Sequence, residues 1–449
     1  WHHIQYSYIY IYIYIYNSGS DPDIVPECPS IPEGERVDSF PDAGASRQKC
    51  LERACCWSPL NETNVPWCFF SKNHGYSVVS ESKPDSTHIE AKLTRMDAPS
   101  LFGADIKDLT FYAEMQTENR LRFKITDASK ARFEVPHKHV QSLSDTPNGP
   151  LKYRLELIQK PFGLKVWRRT SPEKLLFDTT MGPLVFADQY LQLSAKLPSH
   201  NIYGLGEHVH QTFRHDTNWR TWPIFTRAAF PNGVTIQPAP AITFRTIGGV
   251  LDFYILVGET PEAVVDEFTK LIGRPFIPPY WSLGFQLSRW DYGSLEEVKK
   301  VVERNRQAGI PYDVHYTDID YMENNKIFTY DTDKFAGLPQ FADYMHDKGQ
   351  KYIRFLGWQD PAVSTGQRIN GPYEALERGH AAKVWVTEPD GVTPLLGEVW
   401  PGETVFPDYT NQDCIDWWVD EISRFHKEVK HDALWIVSNP QIPLPVSKY

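Results

Sequence analysis

Three short segments place carboxylates and tryptophans where β-strands are expected to end: Arg289-Trp290-Asp291, Asp318-Ile319-Asp320 and Asp360. Trp400 stands on an intervening loop, and Trp435 lies inside a later strand. A carboxylate accepts hydrogen bonds from hydroxyls, and an indole plane covers the apolar C–H face of a pyranose ring. Carboxylates interleaved with tryptophan therefore suit a neutral, polyhydroxylated ligand. The same residues have a plainer reading, in which Asp caps the following helices and Trp fills the core. Other chemistries lack their signatures. There is no HExxH, no second cysteine cluster for zinc and no GxxxxGK[ST] phosphate loop. Gly204-Leu205-Gly206 lacks the third glycine of a dinucleotide fingerprint. His208 and His210 are of a ligating type, but no further metal ligands can be placed beside them, so no metal and no cofactor is expected.

The elements that must position those residues follow two grammars. From 77 to about 279, short Val/Ile/Phe/Tyr runs alternate with Pro, Gly, Asn and Asp breaks, the spacing of an antiparallel β-sandwich. An amphipathic segment over 261–272 predicts a helix leading out of it. After Pro279 strands alternate with helices. A buried strand is expected over 281–287. Ser294 then caps a helix, with Glu297 completing a capping box and Leu295, Val298, Val301 and Val302 on the apolar face. Gly309 ends that helix. Strands over 313–316, 352–355 and 433–436 and helices over 339–348 and 412–427 complete the pattern, interrupted by a Pro/Gly-rich excursion at about 371–409. Four strands and three helices make half of a (β/α)₈ barrel or an open parallel sheet, and periodicity alone does not separate these. In either, chemistry gathers at the C-terminal ends of the strands.

A chain of 449 residues is long enough for two to four modules. Its aromatic content is 14%, with 14 Trp, and its formal net charge is −11, which argues against a nucleic-acid partner. No apolar run is long enough to span a membrane, and no signal peptide of the usual form is read at the start. Five of the six cysteines fall between Cys28 and Cys68, a local disulfide framework of the secreted kind. Asn61-Glu62-Thr63 is a glycosylation sequon inside it. Residues 1–25 form a low-complexity N-terminal tail, with Ile-Tyr alternation of the kind an A/T dinucleotide repeat encodes, and are read as translated non-coding sequence.

Specific strings carry a family resemblance. Cys28-Pro29, Cys50, Cys55-Cys56-Trp57 and Pro66-Trp67-Cys68-Phe69 resemble a trefoil (P-type) domain over 26–76. Tyr203-Gly204-Leu205-Gly206-Glu207-His208, Trp222-Pro223-Ile224-Phe225, Pro279-Tyr280-Trp281-Ser282-Leu283-Gly284-Phe285, Asp318-Ile319-Asp320-Tyr321-Met322, Asp360-Pro361-Ala362 and Val399-Trp400-Pro401-Gly402 resemble glycoside hydrolase family 31 α-glucosidases. The resemblance implies a trefoil, a family β-sandwich over 77–279 and the first half of a (β/α)₈ TIM barrel over 280–436. It also implies a retaining exo-α-glucosidase acting on α-glucan oligosaccharides such as maltose, at the extracellular or apical surface of the cell. Carried over by position, Asp318 would bind hydroxyls of the terminal glucose. Trp290, Ile319, Trp400 and Trp435 would line its pocket, with Asp360 in the surrounding shell. The trefoil bridges would be Cys28–Cys56 and Cys50–Cys68.

Departures from the family are as specific as the likeness. Val437 stands where the family has its nucleophilic Asp, so no catalytic residue is assigned and the chain is expected to be inactive. Val437-Ser438 is also what a read-through intron start encodes, so 437–449 is expected to be a non-family tail on a truncated sequence. Ser39 replaces the trefoil's second cysteine, leaving Cys55 unpaired. Ala228 replaces a substrate-binding Asp, sandwich strands are missing around Asn232-Gly233-Val234, and a few residues are inserted near 355–360 with Arg354 inside a buried strand. Four strands cannot close a barrel, which predicts an unstable or aggregation-prone C-terminal half. The competing expectations are a non-catalytic carbohydrate-binding or trefoil protein, and a truncated gene-model product without its own role.

Overall fold

A computed structural model describes residues 26–28, 30–41, 43–62, 64–134, 146–205, 212–223, 233–357, 362–369, 371–399 and 401–436. The side chains of 355–357 and 436 are likewise outside the description. So are several positions singled out by sequence: the 1–25 tail, Thr63, His208, His210, Ala228, Asn232, Asp360, Trp400, Val437 and the rest of 437–449. The chain forms two compact units that meet in sequence at Arg274 and Pro275.

The first unit begins with the cysteine module. Cys28 is bridged to Cys56 and Cys50 to Cys68. The helix Arg47–Glu52 starts at Ser46, whose hydroxyl accepts from the Lys49 N–H at 3.3 Å. A two-stranded hairpin pairs Cys56–Trp57 with Cys68–Phe69. So little apolar surface is enclosed here that the bridges must supply much of the stability. Cys50, Cys55 and Cys68 are themselves the core, flanked by Phe40 and Trp57.

Two antiparallel sheets follow. One has five strands in the order Leu251–Leu256, Arg120–Asp127, Asp108–Met115, His88–Arg95, Tyr76–Ser82. Strict alternation buries Leu109, Phe111, Ala113 and Met115 on one face of the third and Ile89, Ala91 and Leu93 on one face of the fourth. The other sheet has eight strands, with Leu191–Lys196 paired to Ala241–Thr246 near its middle. Phe111, Phe123, Phe162 and Phe177 fill the shared core, with rings 5.5 to 6.3 Å apart. Truncating one such ring costs about 3–5 kcal/mol. The helix Pro261–Ile272 closes the unit, capped by Thr260.

In the second unit the parallel strands run in the order Gln286–Leu287, Val314–Thr317, Lys351–Gly357, Ala433–Ile436. The helices Leu295–Gln307, Leu338–Asp347 and Gln412–Glu428 lie between them in sequence. Among the described residues the sheet is open, with Gln286–Leu287 and Ala433–Ile436 at its edges. Gly309, at φ 69°, takes the left-handed conformation that stops the first helix.

Three details differ from the sequence expectation. The buried strand over 281–287 shrinks to Gln286–Leu287, because Tyr280–Leu283 forms a 3₁₀ turn with Tyr280 91% and Leu283 71% exposed. The Pro279 carbonyl takes the Ser282 N–H, and the Asp313 carboxylate takes the Phe285 N–H that a longer ladder would use. At the next helix Ser294 accepts from the Glu297 N–H, but the Glu297 carboxylate pairs with Lys300 at 2.5 Å instead of returning to the cap. The described residues of the excursion at about 371–409 form regular elements. They include the helix Glu374–Ala382 and the strands Leu396–Val399 and Gly402–Val405, the second of which also pairs with Val363–Ser364 ahead of the excursion. Gly379 hid that helix from the pattern, yet a Cβ there would lie 2.2 Å from the Trp385 ring.

Candidate functional site

Parallel pairing sorts the second unit's side chains onto two faces. His315 pairs with Tyr352, and Thr317 with Arg354, so these four share the face under the helices. There the Thr317 and Tyr352 hydroxyls lie 2.6 Å apart. Arg354 is fully buried, with Nη1 donating to the Tyr321 hydroxyl at 3.1 Å and its guanidinium 4.3 Å from the Phe425 ring centre. Among the described residues no carboxylate meets it, and Nε and Nη2 have no hydrogen-bond partner. The pairing of Lys351–Gly357 with Ala433–Ile436 slips between Phe355 and Gly357.

The opposite face carries Gln286, Tyr316 and Trp435 on three strands. The Tyr316 hydroxyl donates to the Gln286 side-chain oxygen at 2.5 Å, and its ring meets Trp435 edge-on at 5.4 Å. Asp318 lies one residue past the second strand and is still extended, so alternation puts it on this face too. Its carboxylate accepts the Ile319 N–H at 2.7 Å and is only 4% exposed. Burial raises its pKa above the ordinary carboxylate range. The Ile319 side chain, 6% exposed, packs in the apolar core beside Asp318, and its N–H serves the carboxylate.

Asp320 ties two strand ends together. Its carboxylate accepts from the N–H groups of Tyr292 and Gly293 at 3.0 and 3.2 Å. Burial raises its pKa as well, with the charge of Asp318 adding to the effect. Those contacts anchor the loop that carries Trp290, which is 59% exposed, and Asp291, which is left-handed at φ 59°. A buried carboxylate, two aromatic rings and an amide on one face can accept hydroxyl hydrogen bonds and cover an apolar ring face. Among the described residues, no group of three His, Cys, Asp or Glu side chains is placed to hold a metal.

Asp318, Trp290 and Trp435 are thus brought to the C-terminal side of the same sheet. Tyr316 and Gln286 were not singled out from sequence. The signal that could have found them is alternation, since Tyr316 sits between the buried His315 and Thr317.

Comparison with known proteins adds to this geometry. Residues 275–445 match the glycosyl hydrolases family 31 TIM-barrel domain, and residues 28–71 the trefoil (P-type) domain. The chain is 48% identical to human intestinal sucrase-isomaltase over 451 residues, covering 92% of this chain and 24% of that protein. Human probable maltase-glucoamylase 2 is 46% identical across 91% of this chain and 17% of that one. Mouse lysosomal alpha-glucosidase is 37% identical across 93% of this chain and 47% of its own length. The chain therefore spans about a quarter or less of the first two of these relatives. A crystal structure of the glucosidase II alpha subunit shares the fold, with a TM-score of 0.65 at 16% identity over 81% of this chain and 51% of that one. The chain thus carries a trefoil (P-type) domain at 28–71 ahead of a segment, 275–445, that matches the TIM-barrel domain of glycosyl hydrolases family 31.

Proposed function

We propose that the face bearing Asp318 receives the terminal glucose of α-linked gluco-oligosaccharides, maltose being the simplest, and that this chain binds them without hydrolysing them. The observation that carries the reading is the buried Asp318 carboxylate beside the Tyr316–Trp435 aromatic face. Trp400 and Asp360 complete the proposed pocket by family resemblance. Retaining hydrolysis needs a carboxylate to attack the anomeric carbon and form a glycosyl ester before water enters. Valine offers no such group, and Val437 holds that position in the sequence. No helix of the described chain is long and apolar enough to cross a membrane. The two disulfides and the intestinal relatives support an extracellular or apical-surface setting.

Titrating the full chain with maltose while following tryptophan fluorescence tests the reading. Saturable binding is expected, with Asp318→Asn weakening it at least about tenfold, as losing a charged hydrogen bond to a hydroxyl does. Equal affinity in the two proteins would remove Asp318 from the site.

A further inference from the structure

The trefoil hairpin carries a second carbohydrate feature that the barrel face does not use. Between Trp57 and Trp67 the chain makes a loop whose base is closed by the Ser58 N–H donating to the Trp67 carbonyl at 2.9 Å. Arg36 braces the same base, its Nη1 donating to the carbonyls of Ser58 and Pro66 at 2.8 and 3.3 Å. Both disulfides enter the adjoining strands, through Cys56 and Cys68. On this rigid base an open cavity of about 670 Å³ is lined by Trp57, Trp67, Leu60, Val65 and Asn61, among others. Trp67 is 44% exposed and meets Trp57 edge-on at 5.9 Å, so its indole is an apolar surface left facing water.

Asn61 is also the acceptor of the sequon Asn61-Glu62-Thr63. The aromatic cleft thus has a glycosylation acceptor on its own wall. We propose that the cleft is the seat of the chain's own glycan: an N-acetylglucosamine attached at Asn61 lies on the Trp67 indole and closes the cleft. The linkage joins the Asn61 side-chain nitrogen to the sugar's C1. The bond from that C1 to the phosphate oxygen of a lipid-linked oligosaccharide donor breaks, and the lipid diphosphate leaves with the electron pair while the nitrogen gives up one proton to it. The size allows it, because a groove of about 670 Å³ lies within the range of about 300–1,000 Å³ that admits small ligands, and one sugar ring is smaller than that. The chemistry fits as well. The pyranose presents its C–H face to an indole plane, while its hydroxyls and acetamide remain free for water and for the exposed Glu62.

The cleft would then be structural, sealed by a covalent sugar, and no docking site for a free glycan. The test uses the full chain secreted from glycosylating eukaryotic cells. Peptide mass analysis should find a glycan on Asn61. Acrylamide quenching is then read on three samples: intact, trimmed enzymatically to the first N-acetylglucosamine, and fully deglycosylated. The difference between the parent and Trp67→Phe isolates the Trp67 signal. The trimmed protein should quench like the intact one, and full removal should raise the Trp67 quenching constant about twofold or more. An unglycosylated Asn61, or quenching that full removal leaves unchanged, would overturn the proposal. Enzymatic removal acts on folded protein, so a folding failure of an Asn61 variant does not enter the result.

Discussion

Restoring a cysteine at position 39 is the perturbation whose size the structure defines most closely. Ser39 is fully buried, and its hydroxyl lies 3.3 Å from Cys68 Sγ, in the same cysteine-rich core that holds the buried Cys55. Its backbone is pinned on both sides: the N–H donates to the Cys68 carbonyl at 3.3 Å, and the carbonyl accepts from Arg53 at 2.8 Å. Ser39→Cys puts a thiol at the position where the trefoil resemblance expects the partner of Cys55, on a backbone already held in place. A new bridge would close a loop of 17 residues, from 39 to 55, worth about 3 kcal/mol by chain entropy. Because Cys28–Cys56 already shortens that loop in the unfolded chain, about 2–3 kcal/mol is the expected gain. Burial pushes the Cys55 thiol up to about 12, so the bridge must form during oxidative folding and not by later air oxidation. The assay is thiol titration under denaturing conditions, peptide mapping of the bridges, and urea resistance of the trefoil followed by limited proteolysis. One accessible thiol should remain, Cys414, with the trefoil more resistant. A bridge from the introduced thiol to Cys68 that frees Cys50, or a bridge to Cys55 without added resistance, would refute the reasoning.

Other outcomes follow from the second unit. Replacing the buried, carboxylate-free Arg354 by Met should raise stability by about 1–3 kcal/mol, seen as a higher urea midpoint with an unchanged m-value; a lower midpoint would show that the Phe425 and Tyr321 contacts outweigh burial of the charge. Burial lowers His315 to about 3 and His431 to about 4, so both stay neutral in the folded state while the unfolded chain protonates near pH 6.5. Stability is therefore full above pH 6.5 and falls as pH drops toward 4, with a slope approaching about 2.7 kcal/mol per pH unit; urea titrations flat over that range would contradict it. Asp320→Ala removes the acceptor for Tyr292 and Gly293 and should cost about 1–3 kcal/mol, with faster amide exchange at those two residues. Maltose affinity, measured by fluorescence titration across pH, should weaken as pH falls, beginning above the ordinary aspartate range because burial raises Asp318.

Much of the fold was legible because period and punctuation agreed. The helix over 261–272 and the strand over 433–436 coincide to the residue with the spans expected from sequence. The Asp318 segment was legible because it combined a strand end with a carboxylate. What failed was local competition invisible to periodicity. The run 281–287 is apolar and reads as a strand, yet consecutive prolines and the Asp313 carboxylate turn it into an exposed 3₁₀ segment. The helix Glu374–Ala382 hid behind Gly379, a glycine demanded by Trp385 and so by a contact within the tertiary fold. Tyr316 was overlooked because a tyrosine in a strand reads as packing until the neighbouring faces are known.

Calorimetric titration of the full chain with maltose, with glucose measured in the same cell by NMR, tests the central claim most directly. The account predicts saturable heat that Asp318→Asn weakens at least about tenfold, with no glucose above the buffer blank. Glucose release by the parent protein, abolished in Asp318→Asn, would contradict the claim that this chain binds α-glucans without hydrolysing them.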